Sequence, residues 1–287
     1  MIRSGLLKGL AGAALWVSVG ITTAAGEDLV SLQDMTPAQL RAFLKGVDGD
    51  WRMDTKQARG LPPPPPRSIP DDAVRHALIP PDKLDPPTTS LAQAISERRS
   101  RRSFDSQPVS LETMSFLLWQ TQGVTGYAGD PDDTSVPLRA APSAGARYPL
   151  ETYVFVQSVD ELQPGLYHYD VSAHELVEIS LDEALRAALA RACFGEQFIY
   201  DAAAVIVFTA VPARTEWRYG PIAHRMIAYE TGHAAQNLLL AAQASGLNAC
   251  PVAAYHQPTL DQLMGVDGEH EFSLYLVALG WPPGKAP

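Results

Sequence analysis

Four arginines and two serines form a short basic segment, Arg98-Arg99-Ser100-Arg101-Arg102-Ser103. The whole chain is acidic, with 32 Asp and Glu residues against 22 Lys and Arg residues, so this local positive charge is not a general property of the sequence. Guanidinium and hydroxyl groups can bind a phosphate through paired hydrogen bonds. Arginines at the end of a helix would also complement its dipole, and the spacing alone gives the two interpretations equal weight.

A second segment, residues 139–149, combines small residues with prolines and leads into an apolar run. The side chains of Pro142 to Gly145 are small enough for a flat ring system to approach the backbone and bind its N–H and C=O groups. Residues 152–156 follow, and they are rich in β-branched and aromatic side chains, as a buried strand requires. The pattern indicates a ligand-binding loop joined to a rigid strand.

Further short motifs follow these two in a fixed order along the chain. The ordered set is Arg98-Arg99-Ser100-x-Arg102, Leu117-Leu118-Trp119-x-x-x-Gly123, Ala141-Pro142-Ser143-Ala144-Gly145, Pro164-Gly165-Leu166-Tyr167-His168-Tyr169, Glu230-x-Gly232-His233-x-x-x-Asn237-Leu238, Gly246-Leu247 and Leu279-Gly280-Trp281-Pro282. This set resembles the nitroreductase family of flavoenzymes, and specifically its SagB-type dehydrogenase branch. The resemblance covers about residues 90–284.

The resemblance implies an α+β fold in which helices surround a mixed β-sheet, and a homodimer that binds one FMN at each subunit interface. The residues that would bind the FMN phosphate are Arg98, Arg99, Ser100 and Arg102, with Lys285 completing the phosphate site. The residues that would lie along or near the flavin ring are Pro142, Ser143, Ala144 and Gly145 of the opposite subunit, together with Asn237, Cys250 and Pro251.

The residues before the long helix depart from one group within this branch. Members that oxidise azolines carry a Lys-Tyr pair there, whereas this chain has Arg218 and Tyr219, our candidate catalytic pair. Arginine stays protonated near neutral pH and cannot act as a general base as a lysine with a lowered pKa can. Tyr219 can still donate a proton or a hydrogen bond. The departure argues against azoline oxidation by that mechanism, and Arg218 either orients an anionic substrate or is a surface cation.

The resemblance implies an FMN-dependent oxidoreductase that passes hydride between a small-molecule donor and acceptor in a ping-pong cycle. The alternative is a non-catalytic flavin- or ligand-binding protein with the same fold. We expect no metal site, since Glu230 and His233 supply one Glu-x-x-His motif and the second motif of a di-iron bundle is missing. The chain contains no GxSxG, P-loop or GxGxxG motif, so it carries no signature of those hydrolases or nucleotide-binding proteins.

Periodic patterns predict the elements that position these motifs. Apolar residues at i, i+3, i+4 and i+7 predict helices beginning at Leu91 and at Leu111, the second one with Ser110 as its N-cap, and residues 222–245 predict a long helix buried on most sides. Strands are predicted at residues 152–156, 165–170, 175–179, 204–208 and 272–277. Thr36, Pro37 and Gln39 predict the start of one short helix nearer the N-terminus.

Composition divides the chain into three regions. Residues 1–26 have two early cations, an apolar run and small residues before Glu27, so we expect a cleaved signal peptide, a periplasmic or secreted protein, and no transmembrane segment after cleavage. Residues 27–89 are predicted to be a proline-rich arm or linker, in which the tract after the short helix, with the unbroken run Pro62 to Pro66, is polyproline II or irregular. The arm is either a spacer that lies over the domain or a ligand for a partner. Residues 90–284 are the predicted FMN-binding domain. The formal net charge of -10 argues against nucleic acid as a partner.

Overall fold

The structure, a computed structural model, describes residues 35–45, 51–128 and 136–284. The α-helices in these ranges are α1 (Pro37–Ala42), α2 (Leu91–Glu97), α3 (Leu111–Gln122), α4 (Leu185–Ala192), α5 (Gln197–Asp201), α6 (Ala213–Tyr219), α7 (Ala223–Ala244) and α8 (Gln257–Met264). The strands are β1 (Arg75–Ala77), β2 (Val124–Ala128), β3 (Val136–Arg139), β4 (Leu150–Val156), β5 (Gly165–Asp170), β6 (Glu175–Ser180), β7 (Ala204–Ala210), β8 (Asn248–Val252) and β9 (Phe272–Gly280).

The chain divides into two compact units, residues 1–42 and 43–287. Helix α1 lies in the first unit and begins as the sequence predicts. The Oγ1 atom of Thr36 accepts a hydrogen bond from the N–H of Gln39 (3.3 Å), and the Gln39 side chain accepts one from the N–H of Thr36 (2.8 Å). These reciprocal bonds satisfy backbone donors that a helix start leaves unpaired.

The second unit contains a seven-stranded sheet in the order β1-β6-β5-β4-β7-β9-β8, and β2 and β3 form a separate hairpin. The strand pairs of the large sheet are antiparallel. Parallel pairing occurs at two isolated bridges, Ser100 with Ala249 and Val109 with Val159. Helices lie on both faces of this sheet, so the predicted α+β class is confirmed.

Strand β7 shows how the core is divided between the two faces of the sheet. Ile206 and Phe208 pack with apolar residues of α3 and α7, whereas Val205 and Val207 pack with residues of α4, α5 and α8. All seven residues of β7 are buried. A strand covered on both faces needs a continuous apolar run in place of an alternating pattern, and this is why residues 204–208 stand out in the sequence.

Helix α7 confirms the predicted long helix but is less enclosed than its composition suggests. Its alanines and leucines, such as Ala234 and Leu238, pack into the core. Its opposite face is exposed in the single chain and carries Tyr229 (53% exposed), His233 and Gln236. The apolar composition after Gly232 therefore does not mean that the helix is buried on most sides.

The proline-rich tract contains a strand that belongs to the sheet, contrary to the prediction. Strand β1 adds to the sheet beside β6, with His76 opposite Leu176. The Nε2 atom of His76 lies 2.6 Å from the Glu178 carboxylate. Residues 71–79 contain no proline, so their N–H groups are available for sheet pairing. This interval is long enough for a short edge strand.

Several predictions concern the ends of the chain or its cysteines. Residues 1–26, the predicted signal peptide, and Lys285 lie outside the described residues. No described helix has the length and apolar character needed to cross a membrane.

The two cysteines, Cys193 and Cys250, are free and buried in the same apolar cluster. Burial raises the pKa of the Cys193 thiol to about 11.

Candidate active site

The basic segment lies beside the edge strand β8. Helix α2 ends at Glu97, and the backbone then runs along β8, where the N–H of Arg101 donates to the carbonyl oxygen of Ala249 (3.0 Å). The Nδ2 atom of Asn248 donates to the carbonyl oxygen of Ser103 (2.9 Å). These bonds fix the backbone of the segment beside the sheet edge.

The arginine side chains of this segment are available to an anion. Arg99 and Arg102 are exposed and Arg98 is partly buried. Among the described residues, none of the guanidinium groups of Arg98, Arg99, Arg101 and Arg102 is paired with a carboxylate. Arg99 donates to the carbonyl oxygens of Ser96 (3.0 Å) and Arg98 (2.8 Å). The Arg102 guanidinium lies 5.7 Å from the centre of the Phe198 ring. A cluster of unpaired cations next to the Ser100 hydroxyl is suited to a phosphate group.

The predicted ring-binding loop, Pro142 to Gly145, is held by a buried carboxylate on α7. The N–H of Ala144 donates to Glu230 Oε1 at 2.8 Å, and Ser143 Oγ accepts a hydrogen bond from the N–H of Tyr148 at 2.8 Å. Glu230 is 5% exposed, and burial raises its pKa against the lowering effect of the bonds from Ala144 and Ser143. Glu230 therefore positions the loop, a role that its Glu-x-x-His spacing does not indicate.

Gly145 brings this loop into contact with the candidate catalytic pair. Its φ is +58°, and a Cβ atom added there would lie 2.7 Å from Tyr219 Oη and 2.8 Å from Arg218 Cδ. The neighbouring Arg147 donates from Nε to the Gly145 carbonyl oxygen (2.9 Å) and stacks over Trp217 at 5.2 Å. Burial and the nearby Arg218 lower the pKa of Arg147. The structure thus joins the loop and the pair Arg218–Tyr219 in one place.

Replacement of Gly145 by alanine is expected to lower the free energy of unfolding by about 1–3 kcal/mol through overpacking against Tyr219 and Arg218, beyond the cost of its positive φ, and to displace these two side chains. Urea unfolding measures the first effect. Gly195→Ala is the matched control, because Gly195 also has a positive φ (+78°) but has nothing within 4 Å of an added Cβ. Equal losses in the two variants would contradict the contact between Gly145 and the pair.

The phosphate-binding candidates and the ring-binding loop are attached to different elements of the fold. The loop is bonded to Glu230, whereas the segment before α2 is bonded to the C-terminal end of α7, where Thr89 Oγ1 donates to the Ala244 carbonyl oxygen (3.1 Å). At about 1.5 Å of rise per residue, Glu230 and Ala244 are about 21 Å apart along the helix. The two sets are therefore attached at different elements, although Thr89 and Ala140, which lie just before them in the chain, line one cleft.

Of the remaining predicted residues, Asn237 lies on α7 between Glu230 and Ala244, and Cys250 and Pro251 lie in β8 beside the basic segment. Asn237 is partly buried and lines a cleft of about 550 Å³ with Phe116, Arg139 and Leu240. Cys250 is fully buried and Pro251 partly buried in β8. The Cys250 side chain points into the core cluster, so this residue can contact a ligand beside β8 through its backbone alone.

Sequence reasoning missed a buried polar network that borders the loop. The Glu151 carboxylate contacts the Arg214 guanidinium on one oxygen and His168 Nε2 (2.7 Å) on the other. These two partners lower the pKa of Glu151 to about 2, even though burial alone would raise it. The sequence signal for this network was a glutamate in the mostly apolar strand β4. Its partners lie in β5 and α6, so no local sequence pattern links them to Glu151.

Comparisons with known proteins place the chain in a family. A model of the nitroreductase family matches residues 95–281. Over 190 residues the chain is 34% identical to a nitroreductase-type protein of Methanocaldococcus jannaschii, and the match covers 66% of this chain and 90% of that protein. The trifolitoxin-processing protein TfxB of Rhizobium leguminosarum bv. trifolii is 30% identical over 176 residues, covering 55% of this chain and 44% of TfxB. This chain therefore spans less than half of the length of TfxB.

Solved structures resemble the chain in fold. A nitroreductase-type protein from Ralstonia eutropha superposes with a TM-score of 0.60 at 24% identity, covering 78% of this chain and 96% of that chain. A chain of the E. coli microcin synthetase McbBCD complex superposes with a TM-score of 0.53 at 22% identity, covering 71% of this chain and 77% of that one. At these identities the two likenesses concern the fold.

Proposed function

This chain belongs to the nitroreductase family, and we propose that it is an FMN-dependent oxidoreductase. When bound, FMN would supply the redox chemistry by accepting hydride from a small-molecule donor and passing it to an acceptor. The observation that carries the proposal is the group of unpaired arginines at residues 98–102, whose backbone is fixed beside β8.

The basic segment would bind the phosphate of the cofactor. Arg98, Arg99 and Arg102 supply guanidinium groups and Ser100 supplies a hydroxyl, so a dianion would meet several donors at once. Since the guanidinium groups do not first have to leave a carboxylate partner, binding would cost little rearrangement. Lys285 would complete this site.

The ring would lie between two copies of the chain. The loop Pro142 to Gly145 is bonded to Glu230 of α7 and the basic segment to β8, and a homodimer in which each copy supplies one of them would complete two sites. Exposed apolar residues support this arrangement, since Leu91 (68% exposed) and Ile95 (57% exposed) on α2, and Tyr229 on α7, are uncovered in the single chain. Asn237, Cys250 and Pro251 would lie near the flavin.

Arg218 and Tyr219 would face the substrate from beside the loop. Arg218 keeps its charge and would orient an anionic group, while Tyr219 would donate a hydrogen bond or a proton. The similarity to TfxB over 55% of this chain supports a place in the SagB-type branch. Arginine in place of lysine supports a substrate other than an azoline for this chain.

We also propose that the protein is exported to the periplasm or beyond. The support is the sequence of residues 1–26, where Arg3 and Lys8 precede an apolar run and small residues follow it. An exported enzyme would meet little nicotinamide donor, so its electron donor would be a different small molecule.

The absorbance spectrum of the purified full chain tests the function. We expect bands near roughly 370 and 450 nm and release of FMN on heating, followed by bleaching with a chemical reductant and recovery with an artificial electron acceptor. A colourless protein that does not take up added FMN would contradict the proposal. Bound flavin without repeated cycling would instead identify a non-catalytic flavin-binding protein.

A further inference from the structure

A cavity of about 400 Å³ lies under the proline run, away from the basic segment. Pro63 to Pro66 form one wall. The charged and polar residues that line it include Arg67, Arg139, Arg147, Glu151, His168 and Arg214. Its volume is in the range of small-molecule sites.

The proline wall is fixed at both ends. On one side, Trp217 Nε1 donates to the carbonyl oxygen of Leu61 (2.8 Å). On the other side, Arg67 forms an ion pair with Glu271 at 2.6 Å. The intervening prolines have no N–H group and restricted backbone angles. They therefore present a rigid, apolar surface to the cavity and lose little conformational freedom when a ligand binds.

The lining carries more positive than negative charge. Four arginines face two carboxylates, Glu151 and Asp170. Arg67 and Arg214 are paired with Glu271 and Glu151. Within the described ranges, Arg139 and Arg147 have no carboxylate partner. Burial lowers the pKa of Arg139, against the raising effect of the nearby Glu151.

Two buried polar atoms of this lining lack a hydrogen-bond partner in the described part of the chain. They are Arg139 Nε and His168 Nδ1. His168 is 3% exposed, and its other ring nitrogen is bonded to Glu151. Buried polar groups in native proteins are nearly always paired, so this wall contains polar atoms that the described residues leave unsatisfied, as do Thr152, Gln157 and Thr215 elsewhere.

We propose that this cavity binds an organic carboxylate, whose anionic group is held by Arg139 and Arg147 and whose apolar part lies against the proline run. Glu151 and Asp170 in the same wall are already paired with Arg214 and Arg75, and the apolar proline wall favours an organic anion over inorganic phosphate. Tyr148, whose ring lies 4.4 Å from the Arg139 guanidinium, extends the apolar wall. The site is separate from the proposed FMN phosphate site and does not depend on the proposed function.

Calorimetric titration of the full chain with cyclohexanecarboxylate tests this proposal. A saturated ring is chosen because it does not stack on a flavin. We expect cyclohexanecarboxylate to bind at least ~10-fold more tightly than the neutral cyclohexylmethanol, and inorganic phosphate to leave its binding unchanged. Equal binding of the acid and the alcohol, no binding of the acid, or competition by phosphate would each overturn the proposal.

Substitutions in the lining of the cavity test whether the carboxylate binds there. Pro64→Glu places a negative charge beside the cavity and is expected to lower the affinity for cyclohexanecarboxylate at least ~10-fold. Pro64→Gln, the neutral control, is expected to retain the affinity of the unmodified protein. Arg139→Gln should weaken binding to a similar extent. Arg139 also lines the cleft with Asn237, so the Pro64 pair provides the independent test. Loss of binding in Arg102→Gln with retention in Pro64→Glu would place the carboxylate at the basic segment and overturn the assignment.

Discussion

Alanine at both Arg99 and Arg102 is expected to lower the affinity for FMN at least ~100-fold, since each lost charge-assisted hydrogen bond is worth about 1.5–3 kcal/mol. Both side chains are exposed, so the free energy of unfolding should change by less than about 0.5 kcal/mol per residue. Titration of flavin-free protein with FMN, followed by flavin fluorescence, measures the affinity.

Arg191→Ala is the matched control for this variant. Arg191 is an exposed arginine in the last turn of α4, and its removal changes the net charge without touching the basic segment. We expect its FMN affinity to equal that of the unmodified protein. Full retention of FMN by the Arg99 and Arg102 double variant would refute the assignment of the phosphate site.

The substitution Glu151→Gln is expected to lower the free energy of unfolding by about 3 kcal/mol at pH 7. The carboxylate holds Arg214 and His168 in a largely buried site, and its removal leaves the Arg214 charge without a counter-ion. Urea unfolding of both proteins measures the difference. Glu175→Gln, which removes a partly exposed partner of Arg75 at 3.3 Å, should cost less than about 1 kcal/mol.

The pH dependence of this difference follows from the lowered pKa of Glu151, about 2 in the folded protein against about 4.5 ordinarily. A carboxylate with a lowered pKa stabilises the fold fully above its unfolded pKa, and this contribution is lost as the pH falls towards the folded value. The gap between the unmodified protein and Glu151→Gln should therefore narrow between pH 4.5 and 2. A gap that stays constant over this range would show that the charge of Glu151 is not the cause.

Residue type and local spacing were sufficient to predict the confirmed elements of the fold. The cap at Ser110, whose Oγ accepts from the N–H of Thr113 (3.1 Å), and the apolar run of β7 are signals contained in a few consecutive residues. Strand β1 was missed because the prolines around it dominated the interpretation of its region. Its pairing with β6 depends on a partner about a hundred residues away, which local pattern does not reveal.

The candidate site was predicted in parts but not as an arrangement. The basic segment and the loop Pro142 to Gly145 were found from composition. The contact of Gly145 with Arg218 and Tyr219 required the structure, because the small size of Gly145 suggested space for a ring and not for these side chains. The cluster of Glu151, His168 and Arg214 was missed because its members come from three separate elements.

The large sheet ends in the short strand β1 at one edge and is covered by the basic segment at the other. Strand β1 pairs with β6 at one edge, and residues 100 and 101 pair with Ala249 of β8 at the other. Unpaired sheet edges are templates for aggregation. A protease cut between the proline run and β1 would therefore matter for solubility, because it would release the short strand and open the β6 edge to pairing with another molecule.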